Sequence, residues 1–345
     1  MSSPAHSAFP TTAPPKPTHL IIVCCHAIYT GPSSPSSFPP SSSSPSSFPS
    51  SSPPHPSNPS TLSPSNWLLA PFQKDEIPTF ISHIQAGLNH LVENRREALL
   101  VFSGSKTRPE VEMSEARSYL NVCEAEGYWG LLSKKRSGSE DKPKSTLDRL
   151  PNSGIRDEED EGSIEDYQDL RSRVLMEEQA LDSFHNVLFS LLLFWKKSET
   201  WPESVTIVSH EFKRARFMDL HIPALRIPRD RVTFNGIDPG YMVPENTEFD
   251  RKRADDVREG ERERGFGAWE GDLLGMGAGL RGKRVQRNFW GVDQRWFQDD
   301  GDGERRRCKS AVRSRRVEWG WVGEDGRERM VIEEVLEEGR QPWEE

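Results

Sequence analysis

The sequence predicts an α/β fold: a doubly wound, mostly parallel sheet of about five strands with helices on both faces. Three observations carry that expectation. Short aliphatic or β-branched runs recur along the chain, segments with helical apolar spacing separate them, and almost all of this patterning lies between Thr18 and Tyr241.

The strand runs are Leu20–Cys25 (LIIVCC), Leu99–Ser103 (LLVFS), Val174–Met176 (VLM), Val205–Ser209 (VTIVS) and Val232–Phe234 (VTF), each short enough to be a buried strand. Ile77, Phe80, Ile81, Ile84, Leu88, Leu91 and Val92 fall on one stripe of a helix. So do Phe184, Val187, Leu188, Leu191, Leu192 and Trp195, while Met113, Ala116, Leu120 and Cys123 mark a third helix. Phe212, Ala215 and Phe217 begin a shorter fourth. Strand and helix in alternation imply parallel pairing through right-handed crossovers, and in such sheets ligands bind beyond the carboxyl ends of the strands.

Composition confines the core to part of the chain. Only 34% of the 345 residues are hydrophobic and the mean hydropathy is -0.72. A disordered N-terminus is expected over residues 1–17, then one α/β domain over 18–290. Two interruptions break that domain: a Ser/Pro insertion at 30–66, expected to be disordered because it has little to bury, and a mobile acidic loop at 133–172. Residues 291–345 read as a charged tail in which RRRCKSAVRSRR is solvated.

A net charge of -9 argues against a general nucleic-acid coat, so nucleic acid is not the expected partner. No apolar run is long enough to span a bilayer and no basic, secretory-type leader is present, so no membrane partner and a cytoplasmic location are expected. Cys24, Cys25, Cys123 and Cys308 include no CxxC pair, and no metal-ligand set is predicted.

The loops at the strand ends hold the candidate site residues. Ser103-Gly104-Ser105-Lys106 combines hydroxyls, a glycine for close backbone approach and a cation, so it reads either as an anion cradle or as an ordinary turn. Ser114-Glu115 sits where a helix cap is expected. Glu177 leaves the third strand, followed by Asp182, Ser183, His185 and Asn186. These carboxylates suit acid and base work or a ribose hydroxyl, although Asp182 fits a plain N-cap equally well. Ser209-His210 ends the fourth strand, and Lys213, Arg214 and Arg216 then crowd a helix start that ordinarily prefers acids. A bound anion would resolve that conflict. His26, ending the first strand, completes the set, with a hydrogen-bonded core histidine as the alternative. Gly277-Ala278-Gly279-Leu280-Arg281-Gly282-Lys283 matches dinucleotide and phosphate-loop spacings, but no strand precedes it and Arg284 stands where a magnesium-binding hydroxyl would.

Taken together, HLIIVCCHAIY, NWLLAPFQKDEIPTFISHIQAGL, LLVFSGSKTR with SEARSYL, EEQALDSFHNVLFSL, VTIVSHEFKRARF and GIDP, then a later D-L-x-G with KRxxRN, resemble, in order and spacing, the YdcF-like family that includes the bacterial SanA and ElyC proteins. The chain is most similar to a fungal cytosolic branch of that family. The resemblance implies a doubly wound domain with a polar pocket at the strand ends and a nucleotide-like ligand such as S-adenosylmethionine. Ser105 stands where the family usually has a second glycine, Glu177, Ser183 and Asn186 fall on a bacterial E-x-x-S-x-x-T-x-E-N pattern, and His185 replaces its glutamate. Lys213 stands on the bacterial histidine and Arg216 on the bacterial arginine. His26, His210 and Glu177 are then the expected catalytic groups.

Three functions compete. The first is an enzyme acting on a phosphorylated or nucleotide-like small molecule. The second is a ligand-binding module without chemistry, and the third is a scaffold whose Ser/Pro segment and basic tail recruit protein partners.

Overall fold

A computed structural model describes residues 16–33, 59–132, 170–297, 312–323 and 326–344. Five parallel strands form the main sheet: β1 His19–Cys24, β4 Ala98–Ser103, β5 Val174–Glu177, β6 Ser204–Ser209 and β7 Val232–Gly236, in the spatial order β5-β4-β1-β6-β7. The expected α/β fold is therefore present, and each expected strand lies within a residue or two of its observed bounds. Helices α1 Ile77–Glu93 and α2 Glu115–Ala125 cover one face of the sheet, and α3 Ser183–Ser198 covers the other.

β1 explains why both faces need helices. Ile21, Val23 and Cys25 enter the core beneath α1 and α2, whereas Leu20, Ile22 and Cys24 enter the core beneath α3. A strand alternates its side chains between faces, so a strand apolar at every position must be covered twice. The chain winds from β1 outward through β4 to β5, then crosses back to β6 on the far side of β1. The direction of winding thus reverses between β1 and β6, which opens a crevice at their carboxyl ends.

A second ladder pairs β2 Ile28–Tyr29 antiparallel with β3 Trp67–Leu68, with Tyr29 opposite Trp67. The Ser/Pro insertion therefore leaves and re-enters the domain at one point, and its length is tolerated because loop-closure entropy grows slowly. Residues 34–58 and 133–169, which hold most of the two expected interruptions, lie outside the described residues. Within the insertion's end, however, Pro59–Leu62 form a helical turn and the Trp67 indole donates to the Thr61 carbonyl at 2.8 Å, so the expected disorder does not extend to residue 66.

The C-terminal part corrects a further expectation. Residues 312–323 and 326–344 are not a solvated tail throughout: β8 Ser314–Val322 and β9 Glu328–Leu336 form an antiparallel hairpin. Helix α4, Ala278–Arg287, contains most of the glycine-rich motif, and its Arg284 holds the hairpin to the domain. The Arg284 guanidinium reaches Glu333 on β9 at 2.9 Å and Asp182 at the start of α3 at 3.1 Å, and all three side chains are buried to at least nine-tenths. The Asp272 carboxylate accepts from the Met276 and Gly277 amides at 2.8 and 2.7 Å, fixing the turn that leads into this helix. A helix does occur at this motif, and the Asp272 carboxylate holds the two amides just ahead of its first turn.

Arg284→Met would remove the cation shared by two buried carboxylates, leaving Glu333 with Arg281 and Trp319 and Asp182 with the His185 amide. We expect a loss of about 3–5 kcal/mol in unfolding free energy, measured by urea denaturation. A loss below about 1 kcal/mol would show that the triad does not anchor the hairpin.

Candidate functional site

The β4 and β5 exits build a closed polar node. Glu177 is completely buried and its carboxylate accepts from four groups: the Ser103 hydroxyl at 2.7 Å, the Trp296 indole at 2.9 Å, and the amides of Gln179 at 2.6 Å and Ala180 at 3.1 Å. Asn186 joins through its side-chain oxygen, which accepts from Ser103 at 3.1 Å. Burial pushes the Glu177 carboxyl up to about 7, although its four donors pull the other way. Internal donors therefore occupy the lone pairs that a general base would use.

The SGSK turn is likewise turned inward. The Gly104 and Ser105 amides donate to the carbonyls of Glu177 and Ala180, both at 3.0 Å, so neither is free to cradle an anion. Gly104 serves close packing instead, because a Cβ there would lie 2.7 Å from the Glu115 carboxylate and 3.1 Å from Cys25. Lys106 points out to Glu112 at 2.9 Å. Ser105 is fully buried and its hydroxyl has no partner. Ser114 caps α2 by accepting from the Arg117 amide at 2.9 Å and donates to Glu178 at 2.6 Å. Glu115 accepts from Thr107 at 2.6 Å, and its carboxyl is pushed up to about 7 by burial.

Asp182 takes the N-cap of α3, accepting from the His185 amide at 2.8 Å. Burial alone would raise its carboxyl, but the nearby His185 and Arg284 hold it well below the usual range. Ser183 pairs with His221 at 2.8 Å. These groups are committed to anchoring α3.

The crevice between β1 and β6 is different in kind. His26 follows β1, and Ser209 and His210 end β6. The His26 ring lies 3.3 Å from the Ser209 hydroxyl through Nε2 and 3.4 Å from the Lys213 amine through Nδ1. Behind them stands His83 from α1, with ring centroids 4.9 Å from His210 and 5.6 Å from His26. His210 and His83 are buried, His26 is partly exposed, and desolvation lowers the proton affinity of all three rings. Among the described residues, neither His210 nitrogen has a hydrogen-bond partner. Glu76 approaches His210 Nε2 at 3.7 Å while accepting from the Tyr241 hydroxyl at 2.6 Å.

Cations line the same end of the sheet. Burial lowers the Lys213 amine to about 8, and Arg216 pushes the same way. Arg216 is paired with Glu261 at 3.1 Å. Arg287 stands close enough to Lys283 to disfavour the Lys283 charge, and among the described residues the two donate to neutral carbonyls, of Arg264 and Leu181 respectively, both at 3.0 Å. Arg214, the third cation of the sequence motif, turns away to Glu211 at 2.7 Å.

The structure thus splits the expected site residues. His26, Ser209, His210, Lys213 and Arg216 share the crevice, whereas Ser103, Glu177 and Asn186 form the closed node and Lys106 faces solvent. His83, Glu76, Lys283 and Arg287 were not anticipated. His83 carried a readable signal, since it stands on the apolar stripe between Phe80 and Gly87 at helical spacing.

No protein-family model matches the chain, and no solved structure matches it. The chain is similar to the uncharacterized protein YOR238W of Saccharomyces cerevisiae, 28% identical over 288 residues that make up 78% of this chain and 83% of the yeast protein. Among the described residues no helix is long and apolar enough to cross a membrane.

Glu177 generates a prediction with a definite sign. Its folded value, about 7, lies above the ordinary 4.5, so the folded state holds the proton more tightly than the unfolded chain. That stabilisation is fully present below about pH 4.5 and is lost as pH rises through about 7. Glu177→Gln, neutral throughout, removes this one contribution, so its melting temperature relative to that of the natural protein should rise as pH increases from about 4.5 to about 7. Glu177→Ala strands four buried donors and should cost about 2–4 kcal/mol. A pH profile of Glu177→Gln superimposable on that of the natural protein would refute the assignment.

Proposed function

We propose that the crevice between β1 and β6 binds a small anionic molecule of the phosphorylated or nucleotide-like class, in a cytoplasmic protein of the YdcF-like kind. One observation carries the reading: Lys213, Arg216, Lys283 and Arg287 gather at the sheet's carboxyl edge, where neighbouring cations disfavour the charges of Lys213, Arg216 and Lys283, and among the described residues Glu261 is the carboxylate ion-paired with this group. Positive charge gathered in a partly desolvated crevice at a winding reversal is the setting in which an anion is held strongly. The nucleotide-like ligand, such as S-adenosylmethionine, is what the family resemblance implies. Three buried free thiols, Cys24, Cys25 and Cys123, fit a reducing compartment.

Binding without turnover is the primary reading, because Glu177 is saturated by internal donors. An enzymatic reading rests on His26, whose partly exposed ring is within reach of both Ser209 and Lys213.

The test is calorimetric titration of the full chain with inorganic phosphate, ADP and S-adenosylmethionine. At least one should bind, and Arg216→Met should weaken that binding by about 10- to 150-fold, the equivalent of one charge-assisted hydrogen bond of about 1.5–3 kcal/mol. Lys213→Met should weaken it comparably. Absence of binding by all three, or affinities unchanged in both variants, would refute the reading.

A further inference from the structure

We propose that His26, His83 and His210 form a binding site for a divalent transition-metal ion of the zinc class. Three elements distant in sequence, the β1 exit, α1 and the β6 exit, each deliver one imidazole. One ligand-capable nitrogen from each ring lies within 4.8 Å of the other two. In a tetrahedral zinc site, ligand nitrogens about 2.0 Å from the metal stand about 3.3 Å from one another, so the rings need close by no more than about 1.5 Å.

The hydrogen bonding around the rings favours ligation. His83 Nε2 lies 3.0 Å from the Ile237 carbonyl, which can only accept, so that nitrogen carries the proton. Its Nδ1 then presents a lone pair, fully buried and without a partner. A backbone carbonyl orienting a histidine in this way is the usual support behind a metal ligand. His210 shows the same need more strongly: it is 2% exposed and neither nitrogen has a partner. Buried polar atoms rarely remain unsatisfied, and one ligand-capable nitrogen from each of the three rings within 4.8 Å of the other two is an arrangement that a shared metal ion would satisfy. Glu76, fixed by Tyr241 and 3.7 Å from His210 Nε2, stands where a carboxylate supports a ligating histidine.

Desolvation keeps these rings neutral, the form that ligates. Imidazole donors select zinc, cobalt, nickel or copper over magnesium or calcium. Three protein ligands, with His26 at the partly exposed edge, leave a fourth position toward the crevice, as in sites that admit water or a ligand. Lys213 opposes the ion, because its amine lies 3.4 Å from His26 Nδ1. Removing that charge should therefore strengthen metal binding, whereas it should weaken anion binding.

The inference goes beyond the anion-binding reading and does not depend on it. The test is titration of the chelator-stripped full chain with Zn²⁺ or Co²⁺ alone, with no anionic ligand present. We expect one cobalt ion per chain with the visible absorption of tetrahedral coordination. His83→Asn and His210→Asn should each weaken zinc binding by about 100-fold or more, since losing even a supporting partner costs about 10- to 100-fold. Lys213→Met should tighten it several-fold. Circular dichroism checks folding of each variant, and should the buried replacements fail to fold, His26→Asn at the crevice edge provides the decision. Zinc affinity unchanged within about threefold in the folded variants, or no cobalt spectrum in the natural protein, would overturn the site. Phosphate titration of the metal-free protein separates a failure here from a failure of the anion-binding reading.

Discussion

The structure depends on β1 being buried on both faces. Its backbone pairs with β4 on one side and β6 on the other, and its side chains feed both cores in alternation. That double burial obliges helices to cover each face. It also places the winding reversal beside β1, because the chain exhausts one side of the strand before crossing to the other. His26 is the first residue past this strand with a titratable, partly exposed side chain, and it owes its position to that constraint.

Burial acts on two neighbouring polar clusters with opposite results. Glu177, although buried in a completely dry place, has its acceptor sites filled by Ser103, Trp296 and two amides, and so behaves as a fastener between β4, β5 and the chain near residue 296. His83 and His210 are equally removed from water, yet three of their four nitrogens lack partners. An unsatisfied buried donor or acceptor is expensive. The contrast separates a structural carboxylate from a crevice prepared for a ligand more cleanly than residue type does.

The C-terminal hairpin follows the same logic of compensation. Arg284 brings a full charge into a site that excludes water and is matched there by Asp182 and Glu333. Asp182, which as a carboxylate beside a strand exit invites a catalytic reading, is spent on that ion pair and on the α3 cap. The basic stretch that reads as a solvated tail extends into β8 because Ser314–Val322 has a partner strand to pair with.

By itself the sequence determined the layers of this protein. Runs such as LIIVCC and VTIVS can only be buried strands, the spacing of Ile77, Phe80, Ile84 and Leu88 can only suit a covered helix, and their alternation dictates a parallel sheet with loops gathered at one edge. It also picked out His26, Ser209, His210, Lys213 and Arg216 as neighbours of that edge. Tertiary structure alone decided which polar loops are open. Whether Gly104 offers its amide to an anion or to Glu177, and whether His83 faces the core or joins His26 and His210, depends on contacts between segments tens to more than a hundred residues apart. Local pattern encodes burial; hydrogen-bond partnership across such distances is fixed only when the strands are in register.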